Sequence, residues 1–181
     1  MPLTVEETDA LRWQSITGYN EAMSAERRMS ARNGAVKNGI DVLEEHGFDV
    51  LKAAEGKKHI GLVTNQTGLD ASGKRTIDVL AAAPGISLDA IFSPEHGVTG
   101  TLDTTDINNS KDAATGIPVY SVYGGSDAAR RPQPEVLRTL DAIVFDIQDA
   151  GTRFYTYETT LGYFLEAAAK AGIEMIVLDR P

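Results

Sequence analysis

The sequence predicts an α/β protein whose open, mainly parallel β-sheet is flanked by helices. Three observations predict it: short β-branched runs recur, helical segments separate them, and each run ends in polar, potentially reactive residues. The runs are His59–Thr64 before Asn65-Gln66-Thr67-Gly68, Asp89–Phe92 before Ser93-Pro94-Glu95-His96-Gly97, Ala142–Phe145 before Asp146-Ile147-Gln148-Asp149, and Glu174–Leu178 before Asp179-Arg180-Pro181. Strands alternating with helices imply right-handed crossovers and a parallel sheet. Parallel strands share one carboxyl edge, and ligands bind in the crevice there. That edge would gather Glu95, His96, Asp146, Asp149 and Asp179 at one site.

Residues 1–33 read as an N-terminal extension, partly helical or disordered, closed by the turn signal Asn33-Gly34. Thr4 and Glu7 have capping-box spacing, but Leu11, Trp13, Ile16, Met23 and Met29 make no clean stripe. A single unit is expected over 34–181. Val36, Ile40 and Leu43 recur at helical spacing and predict a helix ending near Gly47. A strand follows at 59–64, then a short helix from Thr76 with Ile77 and Leu80 inward, stopped by Pro84-Gly85. The second strand is expected at 88–92. Residues 94–117 carry Thr, Asp, Asn and Gly without periodicity and read as one long loop. A third strand is expected at 119–122.

Pro134 suits the first turn of a helix with Val136, Leu137 and Leu140 on one face. The fourth strand is 142–147. The clearest helix runs from Glu158 to Ala171, with Leu161, Phe164, Leu165 and Ala168 as its buried stripe and Gly172 as its stop. The last strand, 174–178, is a continuous apolar run of the kind buried on both faces. No helix follows to cover it, so further polypeptide is expected beyond Pro181.

A chain of 181 residues, 42% hydrophobic and 24% charged, can build one well-buried core. With 17 Lys and Arg against 26 Asp and Glu, the net charge is −9, which argues against sequence-independent nucleic-acid binding. Arg130-Arg131 reads as a solvated loop. The absence of cysteine excludes disulfides, thiolate metal sites and cysteine nucleophiles. No stretch approaches a membrane span. No signal peptide is visible, so the expected compartment is the cytoplasm, or the periplasm or exterior if the N-terminus is incomplete or engineered.

Ser93-Pro94-Glu95-His96-Gly97 is the sharpest local motif. Pro94 enforces an extended exit from the strand and Gly97 permits a tight turn, so Glu95 and His96 would stand over the sheet edge. A carboxyl there can act as general acid if burial raises its pKa, with His96 shuttling protons or holding a hydroxyl. The plainer reading is that the two side chains cap a helix or bridge two loops. Asp146 and Asp149, with Arg153, Tyr155 and Tyr157, form the second group. Arg153 can grip a carboxylate bidentately and the tyrosines can stack on a sugar face, or the group can be a buried Asp–Arg pair with the tyrosines in the core. Asn65 and Gln66 offer amides suited to a polyhydroxylated ligand, and neither GxGxxG nor GxxxxGK[ST] follows the first strand. His46 and His59 read as structural. Asp146, Asp149, Glu95 and His96 could ligate Mg, Mn or Zn, but no spacing specifies a metal, and no metal or cofactor is expected.

Four ordered motifs carry a resemblance. Gly61–Gly68, Phe92–Gly97, Phe145–Asp149 with Arg153–Tyr157, and Val177–Pro181 are similar to the DUF1343 family, the YbbC/NamZ group of exo-β-N-acetylmuramidases. The resemblance covers about 36 to 181. It implies a Rossmann-like N-terminal domain, a second domain that this sequence lacks, and release of β-linked N-acetylmuramic acid from peptidoglycan fragments in cell-wall turnover. The implied partners are a muropeptide or other N-acetylmuramic-acid saccharide and the missing C-terminal domain. The export signal usual in the family is not visible. Glu95 is the implied catalytic residue with His96 beside it, while the Asp146/Asp149 loop, Arg153 and Tyr155 would line the pocket.

Glycoside cleavage typically uses two carboxyls around an oxocarbenium-like transition state. Glu95 is therefore expected as general acid, with Asp146 or Asp149 as its partner. Asn65, Gln66, Arg153, Tyr155, Tyr157, Asp179 and Arg180 are expected to bind substrate, with Arg153 or Arg180 meeting the lactyl carboxylate. The competing readings are a sugar-binding module without turnover, a metal-dependent hydrolase, and an inactive fragment completed by another polypeptide.

Overall fold

The structure is a computed structural model that describes residues 36–102, 104 and 107–181. The extension expected over 1–33 lies outside the described residues, and residues from Asn38 to Pro181 form one compact unit. Helices α1 (Gly39–Glu45), α2 (Thr76–Ala82), α3 (Pro134–Leu137) and α4 (Tyr157–Ala171) alternate with strands. The strands are β1 (Lys58–Thr64), β2 (Ile86–Ser93), β3 (Ser110–Lys111), β4 (Pro118–Ser121), β5 (Ala142–Asp146) and β6 (Glu174–Val177). They form one sheet in the order β3-β4-β2-β1-β5-β6. Every pairing is parallel except β3 with β4. The expected α/β class with a mainly parallel sheet is what the chain adopts.

Residue alternation along the strands builds two cores. Ile60 and Leu62 of β1 join Ile40 and Leu43 of α1 and Ile77 and Leu80 of α2 on one face. Val63 of β1 joins Phe92, Leu137, Ile143, Phe164 and Ala168 on the other. Phe92 and Phe164 meet edge to face with centroids 5.0 Å apart, a geometry the aromatic quadrupole favours. The central strands β1 and β5 are apolar on both faces, as parallel strands between two helical layers must be. Gly172 ends α4 at φ 70°, the left-handed stop its position predicts.

Four expectations need correction. β6 is an edge strand rather than one buried on both faces: Met175 and Ile176 are half-buried, and Val177 is 48% exposed. An apolar run shows that a strand can be buried, while its position in the sheet decides whether it is. Leu165 is 47% exposed, because the buried stripe of α4 is Tyr157, Thr160, Phe164 and Ala168. Val36 precedes α1 and is exposed. The loop read over 94–117 contains β3, a two-residue antiparallel strand with both side chains exposed. No helix among the described residues is long and apolar enough to cross a membrane.

Candidate active site

β2 and β4 lie on one side of β1, and β5 and β6 on the other. The chain thus reverses its direction of travel across the sheet beside β1, and the loops leaving β1 and β5 part there. Such a switch point opens a crevice at the carboxyl edge. A cleft of about 420 Å³ occupies it. Gln66 and Thr67 from the β1 loop, Gln148, Asp149 and Ala150 from the β5 loop, His96 and Gly100 after β2, and Tyr155 and Tyr157 at the start of α4 line it.

The two central loops are tied to each other. Asn65 Oδ1 accepts hydrogen bonds from Thr67 N at 2.9 Å and from the Thr67 hydroxyl at 2.6 Å. That hydroxyl accepts in turn from Gln148 N at 2.8 Å. Asn65 is 4% exposed and its Nδ2 has no hydrogen-bond partner. Asp149 Oδ1 accepts from Gly151 N at 2.6 Å, closing a small turn, while its Oδ2 is buried without a partner. Buried polar atoms are nearly always paired, so each of these asks for a ligand group or water. Gly68 must be glycine because a Cβ there would run into the Thr64 hydroxyl and the Asp146 carbonyl.

Below the cleft, Asp146 is fully buried. Arg180 donates to both its oxygens, at 2.6 and 2.9 Å, and the Thr76 hydroxyl donates to Oδ2. Arg180 also donates to the Leu69 carbonyl at 2.9 Å, so one ion pair joins β5, the β1 loop, α2 and the segment after β6. This is the buried Asp–Arg pair that the sequence left open, with Arg180 rather than Arg153 as the cation. Arg153 is exposed and Asp179 is exposed, and neither lines the cleft. Asp179 instead accepts from Gly39 N through its backbone carbonyl at 2.7 Å.

Glu95 is half-buried beside the cleft. Tyr123 donates to its Oε1 at 2.6 Å and Thr156 to its Oε2 at 2.7 Å. Burial pushes the carboxyl up, but those two hydroxyls, with the charges of His96 and Arg130, outweigh it and hold Glu95 below the usual glutamate value. Neither Tyr123 nor Thr156 stood out in the sequence. Tyr123 had a signal, since it follows a strand that ends on the same edge. His96 has φ 68°, a left-handed conformation rare outside glycine. Its Nδ1 lies 2.9 Å from the Leu102 carbonyl. A carbonyl only accepts, so Nδ1 carries a proton here, and Nε2 is left to face a ligand.

Tyr155 and Tyr157 meet at 65° with centroids 5.9 Å apart. Tyr155 is 42% exposed and Phe154 beside it is 82% exposed, an aromatic rim, whereas Tyr157 is 5% exposed. Burial raises the Tyr157 phenol; the Asn65 amide opposes that, and the charges of Glu95, Tyr155 and Asp149 add to it. Tyr157 thus feels Asn65, Glu95 and Asp149 together, although Asn65 Nδ2 reaches no acceptor at hydrogen-bond geometry. The arrangement offers one ionised carboxylate, a second carboxylate oxygen, an imidazole acceptor, an amide donor and an aromatic wall. These suit acid–base chemistry on a polar, partly apolar-faced ligand such as a sugar. Among the described residues no three His, Asp or Glu side chains gather closely enough to hold a metal ion.

Comparison with known proteins supplies a context for this geometry. The family model for the exo-beta-N-acetylmuramidase NamZ N-terminal region matches residues 60–181. The peptidoglycan beta-N-acetylmuramidase NamZ of Bacillus subtilis (strain 168) is 45% identical over 156 residues, covering 86% of this chain and 36% of that protein. Two crystal structures of DUF1343 family proteins from Bacteroides fragilis NCTC 9343 are also similar. One has a TM-score of 0.70 at 46% identity, covering 80% of this chain and 34% of that one. The other has a TM-score of 0.63 at 30% identity, covering 80% and 35%. The chain spans about a third of the length of these relatives.

Proposed function

Because this chain belongs to the family of NamZ exo-beta-N-acetylmuramidase N-terminal domains, we propose that its cleft takes the terminal N-acetylmuramic acid of a peptidoglycan fragment and that Glu95 is the catalytic carboxyl. The single observation that carries the reading is a cleft at the sheet's switch point lined by His96 and Asp149, with Glu95 next to His96 in the chain and hydrogen-bonded to Thr156 between the lining residues Tyr155 and Tyr157. Release of the terminal sugar requires a proton on the departing glycosidic oxygen and stabilisation of positive charge at the anomeric carbon. Glu95 serves the first need and Asp149 the second. Of the two aspartates at the end of β5, Asp149 lines the cleft, while Asp146 is committed to Arg180.

Against burial, its two hydroxyl partners hold Glu95 below the usual glutamate value, the opposite of what a general acid needs. Burial is already the largest single influence on its carboxyl, and a sugar covering it strengthens that influence. Substrate binding therefore moves Glu95 toward the protonated form that the reaction needs. His96, with Nδ1 held by the Leu102 carbonyl, uses Nε2 to orient a sugar hydroxyl beside it. Tyr155 and Tyr157 stack on the apolar face of the ring, and Gln66 and Gln148 meet its hydroxyls.

The test is hydrolysis of a chromogenic β-N-acetylmuramide in the presence of EDTA, followed alongside calorimetric binding. Glu95→Gln should lower turnover by about 10²–10⁴-fold while leaving affinity largely intact. Unchanged turnover in Glu95→Gln would refute the assignment, binding without turnover in the parent chain would favour a recognition module, and activity abolished by EDTA would favour a metal-dependent hydrolase.

A further inference from the structure

We propose that Tyr123 and Thr156 are positioning residues that hold the two oxygens of Glu95 in place for delivery of its proton to the departing glycosidic oxygen. The inference deepens the muramidase reading above and rests on it. Glu95 stands two residues beyond the end of β2, and Tyr123 two beyond the end of β4. Those strands pair in parallel with Ser93 opposite Ser121, and Val122 N extends the ladder to the Ser93 carbonyl at 2.9 Å. The register sets the two residues side by side, and the phenol donates to Oε1 at 2.6 Å. Thr156 arrives from the loop after β5 and donates to Oε2 at 2.7 Å. Its hydroxyl is diverted from the use a threonine ordinarily has there. Thr156 occupies the N-cap of α4 yet makes no side-chain cap bond, and its φ of −98° and ψ of −4° are not the extended backbone of a capping residue.

An unrestrained glutamate samples many rotamers, and ordering it costs entropy. Two hydroxyls on separate oxygens fix both the position and the plane of the carboxyl before substrate arrives. A carboxylate has about four lone-pair sites, so two donors leave room for the catalytic proton. As that proton passes to the glycosidic oxygen, the bond to the anomeric carbon breaks, its electron pair leaves on the oxygen, and Glu95 becomes a carboxylate. Donors already aimed at the oxygens where charge develops stabilise that step without reorganising. Among the described residues, the other titratable or charged groups that act on Glu95 or feel its charge are His96 beside it, Arg130 from the segment after β4, and Tyr157 of α4. Thr156 carries no charge, so replacing it changes none of these.

The experiment measures hydrolysis of a chromogenic β-N-acetylmuramide against pH on the full chain, with Glu95 titrated in parallel by carboxyl-carbon NMR. Thr156→Val and Tyr123→Phe should each lower the plateau kcat by about ten- to a hundredfold, with KM little changed. Each also removes a donor to the ionised carboxyl, so the Glu95 titration and the basic limb of the rate profile should move to higher pH. Thr156→Ser keeps the hydroxyl and should restore the parent profile. The melting temperature of Thr156→Val should stay near the parent's, because no cap bond is lost. Tyr123→Phe gives the same readout if Thr156→Val does not fold. A parent without turnover overturns the muramidase reading along with this one. A parent that turns over while both folded variants keep its kcat and pH profile, or a Thr156→Val chain that loses only stability, overturns the positioning role alone.

Discussion

Asp146 and Asp149 lie three residues apart at the end of β5 and have opposite fates. Asp146, the last residue of β5, is fully buried and meets Arg180 and Thr76 on its two oxygens. Asp149, one turn further out, keeps one buried oxygen without a partner. The layer under the cleft is satisfied and rigid, whereas the cleft floor carries unmet hydrogen-bonding capacity and, at His96, a strained backbone. Stability is invested in the first and given up in the second, as expected where a site must leave room for a ligand.

The contrast is sharpest in denaturation. Asp146→Ala leaves Arg180 buried without its counter-ion and should cost about 3–5 kcal/mol, read from urea unfolding. Asp149→Ala loses a turn hydrogen bond and should cost about 1 kcal/mol or less, yet it should depress turnover. Equal destabilisation by the two would erase the distinction drawn here.

A second satisfied carboxylate tests the same idea through pH. Asp112 accepts from Arg75 at 2.7 and 3.2 Å and from Thr115. The Arg75 hydrogen bonds, opposed by burial and aided by Thr115, hold its pKa at about 2 against an ordinary 3.8. A carboxyl depressed in the folded state stabilises fully above its unfolded pKa, and that contribution is lost as pH falls through the folded value. About 2 kcal/mol should therefore disappear between about pH 4 and pH 2, and Asp112→Asn should abolish that part of the acid limb. An unchanged acid limb would show that the pair contributes nothing.

The smallest effect concerns His96. Relief of its left-handed backbone should make His96→Gly more stable than His96→Ala by about 1 kcal/mol, while both lose turnover. Identical melting temperatures would mean that the backbone there is unstrained.

Much of the fold was legible because parallel strands demand uninterrupted apolar runs and crossovers demand helices between them. β1, β2, β4, β5 and four of the helical segments follow directly from that demand. β3 was not legible: Ser110-Lys111 carries no alternation, and the strand exists because β4 offers it an edge. Leu165 misled because a stripe read by residue type takes no account of which face of α4 meets the sheet. Gln66, His96 and Asp149, expected after β1, β2 and β5 at the shared carboxyl edge, do line the cleft, whereas Asp179, expected after β6, does not. The role of Arg180 did not, because the composition of a loop does not say whether an arginine faces solvent or a buried aspartate. Thr156 was equally silent, since a threonine at the start of a helix has many ordinary uses.

The position of β1 in the middle of the sheet has a consequence for synthesis. It pairs with β2, whose register begins at Ile86, and with β5, whose register begins at Ala142. During translation one margin of β1 therefore stays unpaired until some eighty further residues have left the ribosome. Non-local parallel pairings of this kind close slowly and leave sticky backbone on show meanwhile. Chaperone capture of nascent chains should peak in that interval and fall away once β5 has docked.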